Sequence, residues 1–265
     1  MTDTAVVIVN YRTMALTTAA VESVLSEPEV TEVVVVDNAS GDSSAEHLRT
    51  AFAGRPVQVL ESDWNRGFGP AVNMAAAACE APLLLILNSD ATVTPGAVGL
   101  LARAIVADER VGIVAPAVYQ ADGTTVQAGA YGRLPTRRDV LRSNGWVSPR
   151  ADDVRDASAP GWVSGVAMLV RRADFVALGG FDETFSMYLE DVDLCRRMAE
   201  AGKVVRREPA AGVVHAGGMS WRSRRDRTRR FHESKLHYFE KLGATSAELR
   251  CVRVVGAIKS RLVRD

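Results

Sequence analysis

Five short apolar runs in the first 115 residues alternate with longer stretches in which apolar residues recur at helical spacing. A strand buried on both faces carries consecutive aliphatic residues, so each short run predicts a strand of a parallel sheet. The predicted strands cover residues 5–9, 32–36, 57–61, 83–87 and 111–115. The helical stretches cover residues 14–26, 43–52, 71–78 and 95–108. This alternation predicts an α/β fold, a single mostly parallel sheet flanked on both faces by helices.

The polar residues Asn88, Ser89 and Asp90 follow the fourth run, in which five aliphatic residues stand in succession. In an open α/β sheet, ligands collect outside the carboxyl ends of the strands. Asp90 is therefore expected where a hard cation or a substrate hydroxyl would bind. The same residues also favour a turn and could cap the helix that begins near Pro95. From this segment alone, both interpretations stay open.

Two earlier strands also end in polar residues, Asn10 with Tyr11 after the first and Asp37 with Asn38 after the second. An acidic residue at the tip of the second strand can accept a hydrogen bond from a ribose hydroxyl or a base N–H. Residues 40–42 have the composition of a turn, so we expect them to turn the chain and leave Asp37 free to bind. The first strand is followed by no glycine-rich fingerprint, which argues against an NAD- or FAD-binding fold.

The pattern changes after the fifth strand. Glycines, prolines and scattered charges in residues 116–160 predict a short hairpin and then a mobile loop over residues 133–156. Downstream, periodicity predicts a strand at 162–170, a short helix at 172–178, a strand at 203–207 and a helix at 231–242.

Three further clusters carry candidate chemistry. Residues 65–70 place two glycines before a predicted helix, and a helix N-terminus suits an anionic group. Glu190, Asp191 and Asp193 fall in the first turns of another predicted helix, whose dipole stabilises each by ~0.3–1 kcal/mol. Three carboxylates in four positions are more than one helix N-terminus requires, so one of them could serve as a general base. His215, at a strand end, is either a metal ligand or a structural histidine.

Composition restricts the class of protein further. A hydrophobic fraction of 47% and a charged fraction of 24% are those of an ordinary globular protein. Three widely spaced cysteines indicate neither a zinc site nor a disulfide framework, which favours a reducing, cytosolic setting. The N-terminus has no basic region before its first apolar run, so we expect no signal peptide. No apolar run reaches the ~20 residues that span a bilayer.

The net charge of zero conceals an uneven distribution. Residues 217–265 hold 13 Lys and Arg against 5 Asp and Glu, a net charge of +8, so residues 1–216 carry −8. A basic segment after an acidic body points to an anionic partner. The predicted helix 247–262 is amphipathic, with an apolar stripe formed by Leu249, Val252, Val255, Ile258 and Leu262. Such a helix either lies in a membrane interface or docks on the domain with a solvated basic face.

Seven motifs in this order resemble a known family, the inverting nucleotide-sugar glycosyltransferases of family 2, and most of all their rhamnosyltransferase branch. They are VIVNY (7–11), VDNASGD (36–42), NRGFG (65–69), NSD (88–90), GGFD (179–182), YLEDVDLCRR (188–197) and VH (214–215). The resemblance spans residues 6–242 and implies the GT-A fold. It implies a GT-A domain over 1–221, with a nucleotide-binding half at about 1–115 and an acceptor half at about 116–221. A basic helical extension would then occupy 222–265.

The resemblance also implies roles for individual residues. Asp191 matches the catalytic base, and Asp90 and His215 match the ligands of a divalent metal, Mn²⁺ or Mg²⁺. Asn88 stands where the family's Asp-x-Asp motif begins, so the cation should depend more on the donor phosphates. The donor nucleotide would meet Asn10, Tyr11, Asp37, Asn38, Arg66, Gly67 and Asn88. The acceptor would meet Trp162, Ser164, Gly165, Glu190 and Asp193.

The implied reaction is an inverting, metal-dependent transfer of L-rhamnose from dTDP-rhamnose to a hydroxyl of a glycan in cell-wall or surface polysaccharide synthesis. The basic tail suggests a polyprenyl-linked acceptor and an anionic membrane surface, with the protein cytoplasmic and peripheral at the inner face of the membrane. Alternatives are a UDP-sugar donor, a soluble natural-product acceptor, a non-catalytic nucleotide-sugar-binding domain, or a metal-dependent hydrolase that uses Asp90 and His215. Nucleic acid is not an expected partner, because no aromatic platform accompanies the arginines.

Overall fold

The computed structural model describes residues 2–142, 158–217 and 224–262. The strands in these ranges are β1 Thr4–Asn10, β2 Val30–Asp37, β3 Val57–Glu61, β4 Leu83–Asn88, β5 Ala91–Val93, β6 Val111–Tyr119, β7 Tyr131–Gly132, β8 Trp162–Val163, β9 Ala167–Arg171 and β10 Val204–His215. The helices are α1 Met14–Leu25, α2 Ser44–Ala51, α3 Phe68–Ala77, α4 Ala97–Val106, α5 Arg137–Arg142, α6 Arg172–Ala177, α7 Glu190–Glu200, α8 Arg224–Lys241 and α9 Ser246–Leu262.

Eight of these strands form one sheet in the order β3-β2-β1-β4-β9-β6-β10-β5. Strand β9 runs antiparallel to both of its neighbours, and β5 runs antiparallel to β10. The remaining neighbours pair in parallel. The α/β fold with a mostly parallel sheet is therefore confirmed.

The register of the central strands aligns their carboxyl ends. Asn10 of β1 is paired with Asp37 of β2, and Val9 of β1 is paired with Asn88 of β4. Because these three strands are parallel, the polar residues that end them lie side by side at one edge of the sheet. The candidate site is built on this edge.

Alternate residues of each strand face the two sides of the sheet, because the side-chain period of a strand is two. Ala5, Val7 and Val9 join a core with α3, α7 and α8. Val6 and Ile8 join a second core with α1, α2 and α4 on the opposite face. Burying one such side chain stabilises the folded state by about 1.5–3 kcal/mol. Because helices cover both faces of the sheet, successive residues of its central strands are apolar.

Several predicted elements were wrong in detail. The strand predicted at 162–170 is two strands, because the chain bends at residues 164–166 and β8 pairs with β7 in a separate small sheet. Strand β10 continues to His215 instead of ending near residue 207, and the three residues of β5 were missed. The predicted loop over 133–156 contains α5, and its residues 143–156 lie outside the described ranges.

Helix α8 packs as part of the domain. Its Tyr238 and Phe239 are fully buried in the core that contains α7. The Nζ atom of Lys241 lies 2.8 Å from Oδ2 of Asp182 and 2.6 Å from Oδ1 of Asp193. The boundary predicted at residues 221–222 lies outside the described ranges, but α8 beyond it is a packed layer rather than a free tail.

Helix α9 docks on α8, and its apolar residues occupy two faces. Val252 is buried, and Gly256 lies so close to His232 that an added Cβ would be 3.1 Å from the ring. Val255 and Ile258, which the sequence placed on the same stripe, are 42% and 53% exposed. The side chain of Leu262 lies outside the described residues. Among the described helices, none combines the length and apolarity required to cross a membrane.

Candidate active site

Asp37 is held in place by its neighbours rather than left free. Its Oδ1 accepts hydrogen bonds from Nδ2 of Asn10 at 2.6 Å and from Oγ of Ser40 at 2.5 Å, and the residue is 5% exposed. Asn10 is fully buried, and its Oδ1 accepts from Thr13 and Thr17. The side chain of Asn10 therefore shapes the strand-end turn, and its contact with a donor nucleotide stays a prediction. The turn at Ser40 was predicted, but its use of Asp37 was not.

Asn38 organises the loop that precedes α3. Its Nδ2 donates to the carbonyl oxygen of Gly67 at 3.0 Å, and its Oδ1 accepts from the backbone N–H of Arg66 at 2.9 Å. The Arg66 guanidinium lies 4.9 Å from the ring centroid of Trp64, which is 59% exposed. This cation–π pair offers a planar surface beside the strand ends. The sequence analysis did not single out Trp64, although a tryptophan two residues before an arginine in a glycine-rich loop was visible there.

Tyr11, the other predicted residue at the end of β1, remains at the surface of this edge. Its side chain is half-buried, and the guanidinium of Arg12 lies 5.1 Å from its ring centroid. Arg12 has a φ of 58°, and its backbone N–H donates to Oγ of Ser40 at 2.9 Å. The β1 end and the β2 turn are therefore tied together. Contact between Tyr11 and a nucleotide remains a prediction.

The pairing of β5 with β10 brings Asp90 and His215 together across 125 positions of sequence. His215 pairs with Ala91 in the antiparallel register, and the N–H of Ala216 donates to the Asp90 carbonyl oxygen at 2.9 Å. Nε2 of His215 lies 3.1 Å from Oδ1 of Asp90. The Nδ1 atom on the other side of the ring lies 2.7 Å from Oε1 of Gln127. No local pattern in the sequence pointed to Gln127.

Asp90 and His215 fit a divalent cation by their chemistry. A carboxylate oxygen and an imidazole nitrogen suit Mn²⁺, and Mg²⁺ accepts such oxygen ligands when phosphates complete its shell. Their side chains are 8% and 10% exposed, so one edge of the pair is open to solvent. Within the described ranges, no group of three or more His, Cys, Asp and Glu residues forms a complete metal cage. The pair therefore suits a cation that a ligand brings with it.

Asp191 is fixed in the first turn of α7 by two backbone groups. The N–H of Gly165 donates to its Oδ2 at 2.9 Å, and the N–H of Val192 donates to its Oδ1 at 2.8 Å. Burial nevertheless raises the pKa of Asp191 above its usual range, because the two N–H groups only partly offset desolvation. A carboxylate whose pKa is raised is a stronger base, so it is better suited to accept a proton.

Glu190 precedes Asp191 and is more deeply buried. It is 6% exposed, and its Oε2 has no hydrogen-bond partner in the described part of the chain. Burial, and then the charge of Asp191, raise the pKa of Glu190 to about 8. Near neutral pH Glu190 is therefore mostly protonated. Two adjacent carboxyl groups with different environments can share one negative charge, which then resides on Asp191.

The backbone before α7 is strained. Tyr188 has a φ of 71° and Leu189 a φ of 69°, a conformation that non-glycine residues rarely adopt. Helix α8 stabilises this segment, because Oγ of Ser234 donates to the Met187 carbonyl oxygen at 2.7 Å and Phe231 packs edge-on against Tyr188. Each such residue costs about 1–3 kcal/mol, and such strain persists mainly at functional sites. These two left-handed residues set the path of the chain immediately before Glu190 and Asp191.

Two of the five predicted acceptor residues lie in buried structural contacts, and their contact with an acceptor stays a prediction. Asp193 is 0% exposed and lies between Nε of Arg197 at 2.7 Å and Nζ of Lys241 at 2.6 Å. An acceptor could reach its carboxylate only by breaking both ion pairs. Trp162 is 5% exposed in β8, so its ring belongs to the core rather than to a surface.

Backbone hydrogen bonds link the strand end that precedes Asp90 with the helix turn that carries Asp191. The backbone N–H of Asn88 donates to the Val166 carbonyl oxygen at 2.9 Å, and the neighbouring Gly165 donates to Asp191. Ser164 is half-buried at the start of this bend, and its Oγ accepts from the N–H of Val166 at 3.3 Å. The bend at 164–166 thus connects the end of β4 with the first turn of α7. This connection brings the chain near Asn88 and the chain near Asp191 together, although they are far apart in the sequence.

Comparisons with known proteins are consistent with this geometry. A family model described as Glycosyl transferase family 2 matches residues 5–175. The N-acetylglucosaminyl-diphospho-decaprenol L-rhamnosyltransferase of Mycobacterium tuberculosis is 30% identical over 203 residues, which cover 69% of this chain and 66% of that protein. This chain thus spans just under two thirds of that relative. Rhamnosyltransferase WbbL of Escherichia coli is 46% identical over 54 residues, 20% of each chain.

Solved structures share the architecture. The mannosyltransferase PcManGT from Pyrobaculum calidifontis, in complex with GDP-Man and Mn²⁺, has a TM-score of 0.65 at 18% identity, covering 99% of this chain and 72% of that chain. Residues 1–349 of S. aureus TarS, in complex with UDP-GlcNAc, have a TM-score of 0.60 at 15% identity, covering 94% and 70%. Fold and family together place the protein in the class of glycosyltransferases with the GT-A fold. The chain belongs to glycosyl transferase family 2, and it resembles the rhamnosyltransferases within it.

Proposed function

We propose that the protein transfers a sugar, L-rhamnose from dTDP-rhamnose, to a hydroxyl of a lipid-linked glycan with inversion of the anomeric centre. The observation that carries this proposal is the fixed Asp191 carboxylate, which sits in a strained helix start beside the end of β4. The similarity to rhamnosyltransferases supports the choice of sugar, and the decaprenol in one relative's name supports a lipid-linked acceptor.

In the proposed reaction, the acceptor hydroxyl attacks the anomeric carbon of the donor and gives its proton to Asp191. The new C–O bond forms as the bond to the diphosphate oxygen breaks, and the nucleoside diphosphate leaves. A single displacement from the face opposite the leaving group inverts the anomeric centre. Glu190, protonated near neutral pH, leaves the negative charge on Asp191, where it is needed.

Asp90 and His215 are the residues that would hold Mn²⁺ or Mg²⁺ together with the donor phosphates. The cation would supply Lewis-acid stabilisation of the charge that develops on the diphosphate. Asn88 lies at the end of β4 next to Asp90, where it could contact the same phosphates. On the nucleotide side, Trp64 and Arg66 present a planar cationic surface that could stack on a base.

The donor can be identified by thermal shift. A ligand that binds only the folded protein stabilises it by ~2.7 kcal/mol at a hundredfold excess over its dissociation constant. We expect dTDP-rhamnose with Mn²⁺ or Mg²⁺ to raise the Tm more than UDP-sugars do. Transfer to a polyprenyl-diphosphate GlcNAc acceptor is then measured with that donor. A larger rise in Tm with a UDP-sugar would show that the donor is not dTDP-rhamnose. Release of free sugar at the same rate with and without acceptor would show that the protein is a hydrolase and not a transferase.

We also propose that the protein acts on the cytoplasmic face of a membrane, with α9 against its anionic surface. Val254 and Ile258 of α9 are 58% and 53% exposed, and the exposed Arg250 and Arg253 lie on the same helix. Apolar residues flanked by arginines suit an anionic lipid interface, where each Lys or Arg is worth about 1 kcal/mol.

This membrane contact is tested by co-sedimentation with vesicles of phosphatidylcholine mixed with phosphatidylglycerol. Ile258→Asp should weaken binding and so should added salt. Val176→Asp is the matched control, because Val176 is 59% exposed on α6. Equal binding by the wild type and Ile258→Asp would remove α9 from the proposed interface.

A further inference from the structure

Gln127 lies beside His215 because of a tight hairpin after β6. The N–H of Gln127 donates to the Val118 carbonyl oxygen, and the N–H of Gln120 donates to the Thr125 carbonyl oxygen, both at 2.8 Å. Asp122 holds the turn through Oδ1, which accepts from the N–H groups of two threonines at 2.9 and 2.8 Å. Since β6 is the neighbour of β10, the hairpin delivers the Gln127 side chain to the end of β10.

The contact between Gln127 and His215 determines where the imidazole carries its proton. Oε1 of Gln127 is an amide oxygen and can only accept, so Nδ1 of His215, 2.7 Å away, must be the donor. In the neutral ring Nε2 then has a lone pair, and it lies 3.1 Å from the carboxylate oxygen of Asp90. Two electron-rich atoms this close repel each other unless a proton on Nε2 or a bound cation lies between them.

We propose that Gln127 is a positioning residue that holds His215 in the Nδ1–H tautomer and aims Nε2, with Asp90, at a divalent cation. This inference rests on the proposed function for the use of the cation. It assigns a role to a hairpin residue outside every motif that the sequence pointed to. Partners that orient a ligating histidine change metal affinity by about 10–100-fold when they are removed.

The test is the affinity of the full chain for Mn²⁺ in the presence of dTDP, followed by electron paramagnetic resonance at one fixed pH. Gln127→Leu should weaken Mn²⁺ binding by about 10–100-fold. Gln127→Glu keeps an acceptor at the same place and should bind within a few-fold of the wild type. Gln120→Leu, an exposed change in the same hairpin, is the matched control and should bind as the wild type does.

A second readout separates positioning from a loss of fold. The ¹⁵N chemical shifts of His215, assigned with His215→Gln, should report Nδ1–H in the metal-free wild type and in Gln127→Glu, and a mixture of tautomers in Gln127→Leu. Equal Mn²⁺ affinity in Gln127→Leu and the wild type would overturn this inference alone, as would a Gln127→Glu protein as weak as Gln127→Leu. If the wild type binds no Mn²⁺ in the presence of dTDP, the proposal that Asp90 and His215 hold a divalent cation would be overturned as well.

Discussion

The backbone N–H of Gly165 donates a 2.9 Å hydrogen bond to Oδ2 of Asp191, and this contact joins the bend before β9 to the first turn of α7. A Cβ added to Gly165 would lie 3.6 Å from the Cβ of Asp191, so the two backbones approach closely. The carboxylate is thereby held in one direction by backbone groups, and among the described residues no cationic side chain forms an ion pair with it. A group oriented by backbone N–H groups keeps its remaining lone pairs for a proton from a substrate.

The loop before α3 should require glycine at position 67, because there is no room for a side chain there. Gly67 has a φ of 90°, and an added Cβ would lie 2.6 Å from the Ser186 carbonyl oxygen. Gly54 has a φ of 76° and no atom within 4 Å of such a Cβ. We expect Gly54→Ala to cost ~1–2 kcal/mol from the left-handed backbone alone, and Gly67→Ala to cost clearly more because the segment before α7 must also move.

Urea unfolding of both variants measures this difference. Gly67→Ala should also slow sugar transfer, because Ser186 lies four residues before Glu190, whereas Gly54→Ala should leave transfer unchanged. Equal free energies of unfolding for the two variants would show that the contact with Ser186 imposes no constraint.

The buried Glu190 should make stability depend on pH. Its pKa of about 8 in the folded protein exceeds the ordinary value of 4.5, so the folded state keeps a proton that the unfolded state releases. The associated stability is fully present below about pH 4.5 and is lost as the pH rises through 8. A shift of this size corresponds to a few kcal/mol, on the order of 1.4 per pH unit of difference.

Denaturant unfolding from pH 5 to pH 9 tests the Glu190 prediction. Glu190→Gln has no carboxyl group to ionise, so its stability should fall less over this range than that of the wild type. Glu46→Gln, an exposed change in α2, should show the wild-type slope. Parallel curves for Glu190→Gln and the wild type would mean that Glu190 does not hold a proton in the folded protein.

Lys241 should contribute to stability by pairing with the half-buried Asp182 and the fully buried Asp193. Burial would raise the pKa of Asp182, but hydrogen bonds from Lys241 and Thr184 outweigh it and hold the pKa of that carboxyl well below its usual range. Lys241 also neutralises the fully buried Asp193. Lys241→Met should therefore cost roughly 1–3 kcal/mol, less than the full loss of a buried pair because Arg197 still binds Asp193.

The control for Lys241 is Arg55→Met, which removes an exposed pair with Glu22. Exposed pairs are worth ~0–1 kcal/mol, so chemical unfolding should show little change. If the two variants lose the same stability, the pair between α8 and Asp193 contributes no more than an ordinary surface ion pair.

The sequence could predict the central sheet because β1, β2 and β4 each contain four or more consecutive apolar residues that are followed by a polar one. It also placed Asp90 at the end of β4 and Asp191 in the first turn of α7. These predictions succeeded because strand and helix periods are local properties of the chain.

The remaining features depend on contacts between distant residues. The burial of Asp37 and Asn10 follows from the register between β1 and β2, which no local pattern encodes. Helix α8 is polar in composition, yet Tyr238 and Phe239 are enough to bury one face of it. Gln127 reaches His215 only because β6 and β10 are neighbours in the sheet.

The most direct test of this account is the rate of sugar transfer by Asp191→Asn at saturating donor and acceptor. The amide keeps an oxygen that can accept a backbone hydrogen bond, so the fold and the affinity for the donor should remain within a few-fold of the wild type. Without a base, kcat should fall by about 10²–10⁴-fold, while Glu46→Gln retains full activity. An Asp191→Asn protein that transfers sugar at the wild-type rate would contradict the assignment of Asp191 as the base.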